Sequence, residues 1–233
     1  MRILIIRHGD PDYEHDSLTD LGRRQAENLS RILRELPIRR ICSSPYGRAR
    51  ETASYTAEAL SLKVEILPFL REFTDVTVPS RLRSDLAVWN IPPRELYAYG
   101  RQADWQRRPP FSETLLQQRL QEMEEGTDEL FRSYGMTRQT EGYALERDLS
   151  AEGDIAVFCH QGAGLTWMAQ LLQLSLTDVW RTCYVSPTSV TTLLLEQSEP
   201  QFGSFRLLGM GDVSHLVSSS TENDQTGLLY NRS

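Results

Sequence analysis

The chain has 233 residues, of which 39% are hydrophobic and 24% charged, and a formal net charge of −7. That length holds one large α/β domain or a core with an insertion, and either buries a sizeable core. The acidic balance excludes the global basic surplus of a nucleic-acid binder, so any anion site must be local.

The first predicted element is the short, β-branched run Ile3-Leu4-Ile5-Ile6, a buried strand that leads into Arg7-His8-Gly9. It delivers an arginine, a histidine and a glycine to the carboxyl end of a strand, where open α/β sheets place their sites. The N-terminus lacks the basic flank, apolar core and cleavage site of a signal peptide, and no apolar run reaches membrane-spanning length. The expected setting is cytoplasmic, without membrane or nucleic-acid partners. A polar stretch, Asp10 to Ser17, precedes Leu18-Thr19-Asp20-Leu21-Gly22, in which Thr19 is the expected N-cap of a helix. Ala26, Leu29, Leu33 and Leu36 recur at helical spacing and turn Arg23, Arg24, Glu27 and Arg31 largely outward. Pro37 ends that helix. Ile38 to Ser43 reads as a second strand, and Ser44-Pro45 as the start of a second helix with Ser44 as its N-cap and Arg48 one turn in. Lys63 to Leu67 reads as a third strand, and the loop Pro68 to Asp75 leaves it carrying Glu72.

From about residue 74 to 152 the alternation lapses. Pro79, Pro92, Pro93, Pro109 and Pro110 punctuate the segment. A long helix is expected from about Ser112 to Tyr134, with Leu116, Leu120, Met123, Thr127, Leu130 and Tyr134 on one face and Gly135 as its stop. Such insertions shape substrate pockets. Alternation resumes with a strand at Asp154 to Cys159 that ends in His160-Gln161-Gly162-Ala163-Gly164 and enters an apolar helix through Leu171. Thr188 to Leu195 and Ser204 to Met210 read as the last strands, and a polar tail runs over 218–233. The fold class is therefore α/β: three layers, α/β/α, with a mostly parallel sheet of about six strands and a helical insertion over its carboxyl edge. One catalytic domain is expected over 1–217. The three cysteines, Cys42, Cys159 and Cys183, fit neither a disulfide framework nor a zinc ribbon and read as inert.

Two histidines at strand ends, two arginines beside them and a loop carboxylate make a phosphoryl-transfer constellation. Arg7 and Arg48 present planar forks of donors that match phosphoryl oxygens better than a lysine does. A neutral His8 has a nitrogen able to attack phosphorus and store the group as phosphohistidine. A protonated Glu72 can give the leaving alkoxide its proton and then activate water. A protonated His160 would add a third cation against the charge on the equatorial oxygens. Asp75 and Asp10 are rival acids. The scheme needs no metal and no cofactor, only a small phosphorylated substrate.

Four stretches carry a resemblance: Arg7-His8-Gly9; Leu18-Thr19-x-x-Gly22-x-x-Gln25-Ala26; Ser43-Ser44-Pro45-Tyr46-Gly47-Arg48-Ala49-x-Glu51-Thr52-Ala53; and Phe158-Cys159-His160-Gln161-Gly162. Together they resemble the histidine phosphatase (phosphoglycerate-mutase-like) superfamily, in the family's order and over both ends of the core, roughly 1–72 and 153–216. The resemblance implies that His8 is the nucleophile, that Arg7, Arg48 and His160 bind phosphate, and that Glu72 is the acid. Another branch of the superfamily takes its acid from an aspartate directly after the second histidine; here that residue is Gln161.

Two departures from the family's pattern matter. Gln161 puts a side chain where the family commonly has glycine, in a position to hydrogen-bond the phosphate or to narrow the pocket. The loop after the first motif, Asp10-Pro11-Asp12-Tyr13, lacks the mutase-type phosphate-orienting pattern. Three functions stay open: a phosphomonoester hydrolase, which is favoured; a phosphoglycerate-type mutase; and a phosphate-binding scaffold with impaired catalysis. The run Arg107-Arg108-Pro109-Pro110 weakly resembles a mutase element, yet solvent-facing arginines are the simpler reading. His15 reads as incidental, and His215 as structural. The oligomeric state is not legible.

Overall fold

The computed structural model describes residues 1–218 and assembles the predicted strands into one eight-stranded sheet. In chain order its elements are β1 (Arg2–Arg7), α1 (Asp20–Leu33), β2 (Ile38–Ser43), α2 (Gly47–Leu60), β3 (Val64–Ile66), α3 (Pro93–Gly100) and α4 (Leu116–Arg132). They continue with β4 (Met136–Arg138), β5 (Tyr143–Leu145), β6 (Asp154–Cys159), α5 (Gln161–Leu171), α6 (Leu176–Thr182), β7 (Val190–Glu199), β8 (Phe202–Asp212) and α7 (Ser214–Ser218). Short two-residue strands and 3₁₀ turns fill the connections. The polar tail expected over 218–233 lies outside the described residues, apart from Ser218 at the end of α7.

The strand order is β3-β2-β6-β1-β7-β8-β5-β4. The first four strands are parallel, and from β1 onward each pairing described is antiparallel. The α/β class holds, while the sheet is larger and more mixed than about six mostly parallel strands. The difference has two sources. The last two expected strands form one antiparallel hairpin, and the inserted segment is not wholly helical: β4 and β5, three residues each, extend the sheet beyond β8.

Alternation along β1 divides the core. Leu4 and Ile6 pack with Leu29 and Leu33 of α1 and Ala53 and Ala57 of α2. Ile3 and Ile5 belong to the opposite cluster, with Leu165 and Met168 of α5 and Leu116 and Met123 of α4. A strand buried on both faces has no polar alternation to show, which is why β1 and β6 read as continuous apolar runs. Each such Leu or Ile contributes about 1.5–3 kcal/mol by leaving water. Two motif glycines are explained by close approach: a Cβ on Gly9 would lie 2.7 Å from the Gly22 carbonyl oxygen. Among the described residues no helix is long and apolar enough to cross a membrane.

Register sets the site. Arg7 pairs with Cys159, so the residues that follow, His8 and His160, leave adjacent parallel strands side by side. Phe158 pairs with Ser43 on the other edge of β6, which brings Ser44 next to His160. Thr19 caps α1 as expected, its Oγ1 accepting from the Gly22 N–H at 3.0 Å. Ser44 does not cap α2. That helix starts at Gly47, with Tyr46 as its N-cap residue.

Candidate active site

Arg7, His8, Arg48, Glu72 and His160 converge at the carboxyl ends of β1, β2 and β6, and none is more than 7% exposed. The two imidazoles meet edge to face with centroids 5.1 Å apart. His8 Nδ1 lies 2.7 Å from the Gly9 carbonyl oxygen. A carbonyl only accepts, so Nδ1 carries the proton and Nε2 keeps its lone pair. Arg48 Nε donates to that Nε2 at 3.3 Å, which requires the same tautomer. Burial, and then the charges of Arg7 and Arg48, hold the His8 pKa well below its ordinary value, against the pull of the Gly9 hydrogen bond. His8 is a neutral imidazole with an available nitrogen.

Arg48 is held on several sides. Its Nη1 donates to Asp16 Oδ1 at 2.6 Å, and its guanidinium lies over the rings of Tyr46 and Tyr13, 4.9 and 5.4 Å from their centroids. Asp16 Oδ2 accepts from the Gly47 N–H at 2.6 Å. A Cβ on Gly47 would lie 2.1 Å from the Asp16 carbonyl oxygen, so glycine is what lets this loop close over the start of α2. Asp16 is a site residue that sequence reasoning missed. Its only signal is its place in a polar loop between two motifs.

Arg7 Nη1 donates to the Val185 carbonyl at 2.8 Å, and more weakly to Tyr184 Oη and Gln161 Oε1, both at 3.4 Å. Gln161 Oε1 also accepts from the Val185 N–H at 3.3 Å. The Gln161 side chain thus ties the segment around Val185 to Arg7. Thr188 braces the same turn from the other side: its N–H reaches the carbonyls of Arg7 and His8, and its Oγ1 meets His215 Nε2 at 2.9 Å. Burial lowers the His215 pKa to about 4.

His160 Nε2 lies 2.7 Å from Ser44 Oγ, which is where the hydroxyl expected to cap α2 is used. His160 Nδ1 is buried and has no hydrogen-bond partner among the described residues. Burial first, then the electrostatic effects of His8, Arg48 and Arg7, push its pKa well below the ordinary value. These effects favour the uncharged form of the His160 ring.

Glu72 is a buried carboxyl, 5% exposed, at the N-terminus of α5. Its oxygens accept from the N–H groups of Gly162 at 2.9 Å, Ala163 at 2.8 Å and Phe73 at 3.0 Å. Burial raises its pKa, and the three backbone bonds and Arg48 offset this only in part. The rivals are engaged elsewhere. Asp75 pairs with Arg119 and Arg71, while Asp10 Oδ2 accepts from Thr19 Oγ1 at 2.6 Å. Arg107 and Arg108 are exposed, and His15 is an exposed partner of Asp12. The Cys42 and Cys159 thiols are pushed up to about 12 by burial. Among the described residues no group of three or more His, Cys, Asp or Glu is placed to hold a metal ion.

Residues 3–207 match the histidine phosphatase superfamily (branch 1), and the chain belongs to that family. A probable phosphoglycerate mutase, GpmB, from Yersinia enterocolitica is 35% identical over 81 residues, 31% of this chain. The match spans only 38% of that mutase's length. Among solved structures, the mycobacterial glucosyl-3-phosphoglycerate phosphatase superposes with a TM-score of 0.63 at 23% identity, covering 90% of this chain and 98% of the other. The α-ribazole phosphatase of Shigella flexneri superposes with a TM-score of 0.59 at 21% identity, covering 91% and 97%. The Entamoeba histolytica phosphoserine phosphatase does so with a TM-score of 0.60 at 18% identity, covering 92% and 98%. At these identities the likeness establishes a shared fold.

Proposed function

We propose that the chain hydrolyses a small phosphomonoester through a phosphohistidine on His8. The observation that carries this reading is the fixed tautomer of His8, with Nδ1 committed to the Gly9 carbonyl and Nε2 facing the Arg48 fork. In the first step the Nε2 lone pair forms a bond to phosphorus and the ester P–O bond breaks. The leaving oxygen takes the proton of the Glu72 carboxyl. In the second step water attacks phosphorus, the Glu72 carboxylate takes its proton, the P–N bond breaks and inorganic phosphate leaves. Arg7 and Arg48 hold the equatorial oxygens throughout. His160 Nδ1 is the donor that a phosphoryl dianion would recruit, with proton uptake on binding because the negative charge opposes the burial and the neighbouring cations that favour the neutral ring. Gln161 acts on phosphate through Arg7, by holding the segment around Val185.

Hydrolysis is preferred to the mutase reading because Arg107 and Arg108, the resembling element, stand in solvent. The intact set of catalytic groups likewise speaks against the impaired scaffold. Glu72→Gln tests the scheme on a panel of aryl and alkyl phosphates. Read as kcat/KM, which reports phosphoenzyme formation and not the water step common to all esters, the expected result is a loss of about 100-fold or more on alkyl esters, which need the proton, and a much smaller loss on aryl esters. Equal slowing of both would remove Glu72 from the acid role. Hydrolysis should survive EDTA; abolition by chelator and restoration by a divalent metal would overturn the covalent-histidine scheme.

A further inference from the structure

The inserted segment holds a buried cation that the catalytic scheme does not use. Arg119, on α4, is 1% exposed and occupies the inward face between Leu116 and Met123. Its guanidinium is turned onto the strand-to-insertion loop that carries Glu72. Nη2 donates to the Arg71 carbonyl at 2.8 Å and reaches the Glu72 carbonyl at 3.5 Å. Nη1 donates to Glu122 at 3.2 Å, Nε faces Asp75 at 3.5 Å in an ion pair without a hydrogen bond, and the fork lies 4.8 Å from the centroid of the Phe73 ring. Its contacts thus cover the four residues 71, 72, 73 and 75.

A charge at this position is an expensive way to fill a helix face. An apolar residue of similar volume would do so with less desolvation, because a buried cation is tolerated only when its donors are matched. What a guanidinium adds is direction: a planar fork whose separate N–H groups fix a backbone segment in position and orientation. The segment fixed here belongs to Glu72, whose carboxylate must keep its place against the Gly162 and Ala163 N–H groups. Glu72 is therefore anchored at two ends, its carboxyl by α5 and its peptide by α4.

We infer that Arg119 is a positioning residue for the proton donor, coupling α4 of the insertion to the placement and burial of Glu72. This rests on the reading of Glu72 as the acid. A loosened peptide moves the carboxyl relative to the leaving oxygen and admits water around it. Leaving-group protonation should suffer while phosphate binding is spared.

The test is a leaving-group series with Arg119→Lys, which keeps the charge and loses the fork, and Arg119→Met, which keeps the volume. Glu72→Gln is the reference. Both Arg119 variants are expected to lose about 10- to 100-fold in kcat/KM on alkyl phosphates, the cost of misplacing a catalytic group, and less than about threefold on aryl phosphates. Inhibition by inorganic phosphate, which reports phosphate binding directly, should stay unchanged. The alkaline limb of the kcat profile should move to lower pH, because a wetter Glu72 loses the burial that raises its pKa. A purely structural role would lower the melting temperature and slow both ester classes equally, without moving that limb, and this outcome overturns the inference. Asp75→Asn covers the case in which neither variant folds: it weakens the Nε pairing and leaves the carbonyl grip, so it should show the same bias in smaller degree. No bias in that variant would also count against the inference. Should Glu72→Gln itself show no preference, the acid assignment fails; should it show one that the Arg119 variants lack, only the positioning role fails.

Discussion

At the scale of single residues, Arg48 and Asp16 act as one device. Asp16 occupies Nη1, the two tyrosine rings flank the fork, and Nε is left pointing at His8. Arg48→Lys keeps the charge but offers neither the planar edge nor the stacking, so kcat should fall about 100-fold, the usual cost of losing a preorganised donor. Near-normal turnover would remove the bidentate role. Asp16→Ala frees the fork and should lower kcat/KM about tenfold on aryl and alkyl esters alike, because in the proposed scheme Arg48 serves the phosphoryl group and not the leaving oxygen. A loss confined to alkyl esters would contradict that division of labour. Arg7, His8, Arg48, Glu72 and His160 were legible in the sequence as candidates because they lie in contiguous motifs, and the fold brings these five side chains together. Asp16, Tyr46 and Arg119 were not: their roles come from contacts to groups far along the chain. For His160 the sequence carries no signal of charge, since protonation depends on burial and on His8, Arg48 and Arg7 beside it.

At the scale of elements, legibility follows length and burial. β2 and β6 lie over the residues expected, Ile38–Ser43 and Asp154–Cys159: β6 is buried along its whole length, and β2 is bounded by Pro37 before it and Ser44-Pro45 after it. β4 and β5, three residues each, carry no periodic signal and take their strand character from the hairpin edge beside them. The expected helix from about Ser112 begins only at Leu116, its first turn drawn into a 3₁₀ turn at Phe111–Glu113. Thr188, read as strand, has φ 57° and lies before β7, where its N–H ties the Arg7-His8 turn. At α2 the rule that a serine before proline caps a helix gave way to the need of His160 for a hydroxyl.

At the scale of the whole molecule, the buried titratable groups set the acid response of the fold. His8, His160 and His215 have pKa values below the ordinary 6.5, His215 at about 4. The unfolded chain therefore binds more protons than the folded chain as pH falls through 6.5, and each histidine removes stability on acidification, at most about 1.4 kcal/mol per pH unit. Glu72 acts in the opposite sense. Its raised pKa contributes stability that is fully present below its ordinary 4.5 and lost as pH rises through the folded value. Three histidines outweigh one carboxyl, so the melting temperature should fall between pH 7 and pH 5. His215→Asn should flatten that fall; a melting temperature that rose on acidification would contradict the burial of neutral imidazoles.

The proposed scheme assigns the mixed sheet, the insertion and the buried cations to one event, transfer of a phosphoryl group to His8 Nε2. The most direct measurement is to quench a reaction with a ³²P-labelled phosphomonoester and locate the label on the protein. Label on His8 that is lost in acid, kept in base and absent from His8→Ala is the expected result. Turnover of an aryl phosphate with no trapped phosphoenzyme in a Glu72→Gln background, or label retained in His8→Ala, would contradict a covalent histidine mechanism.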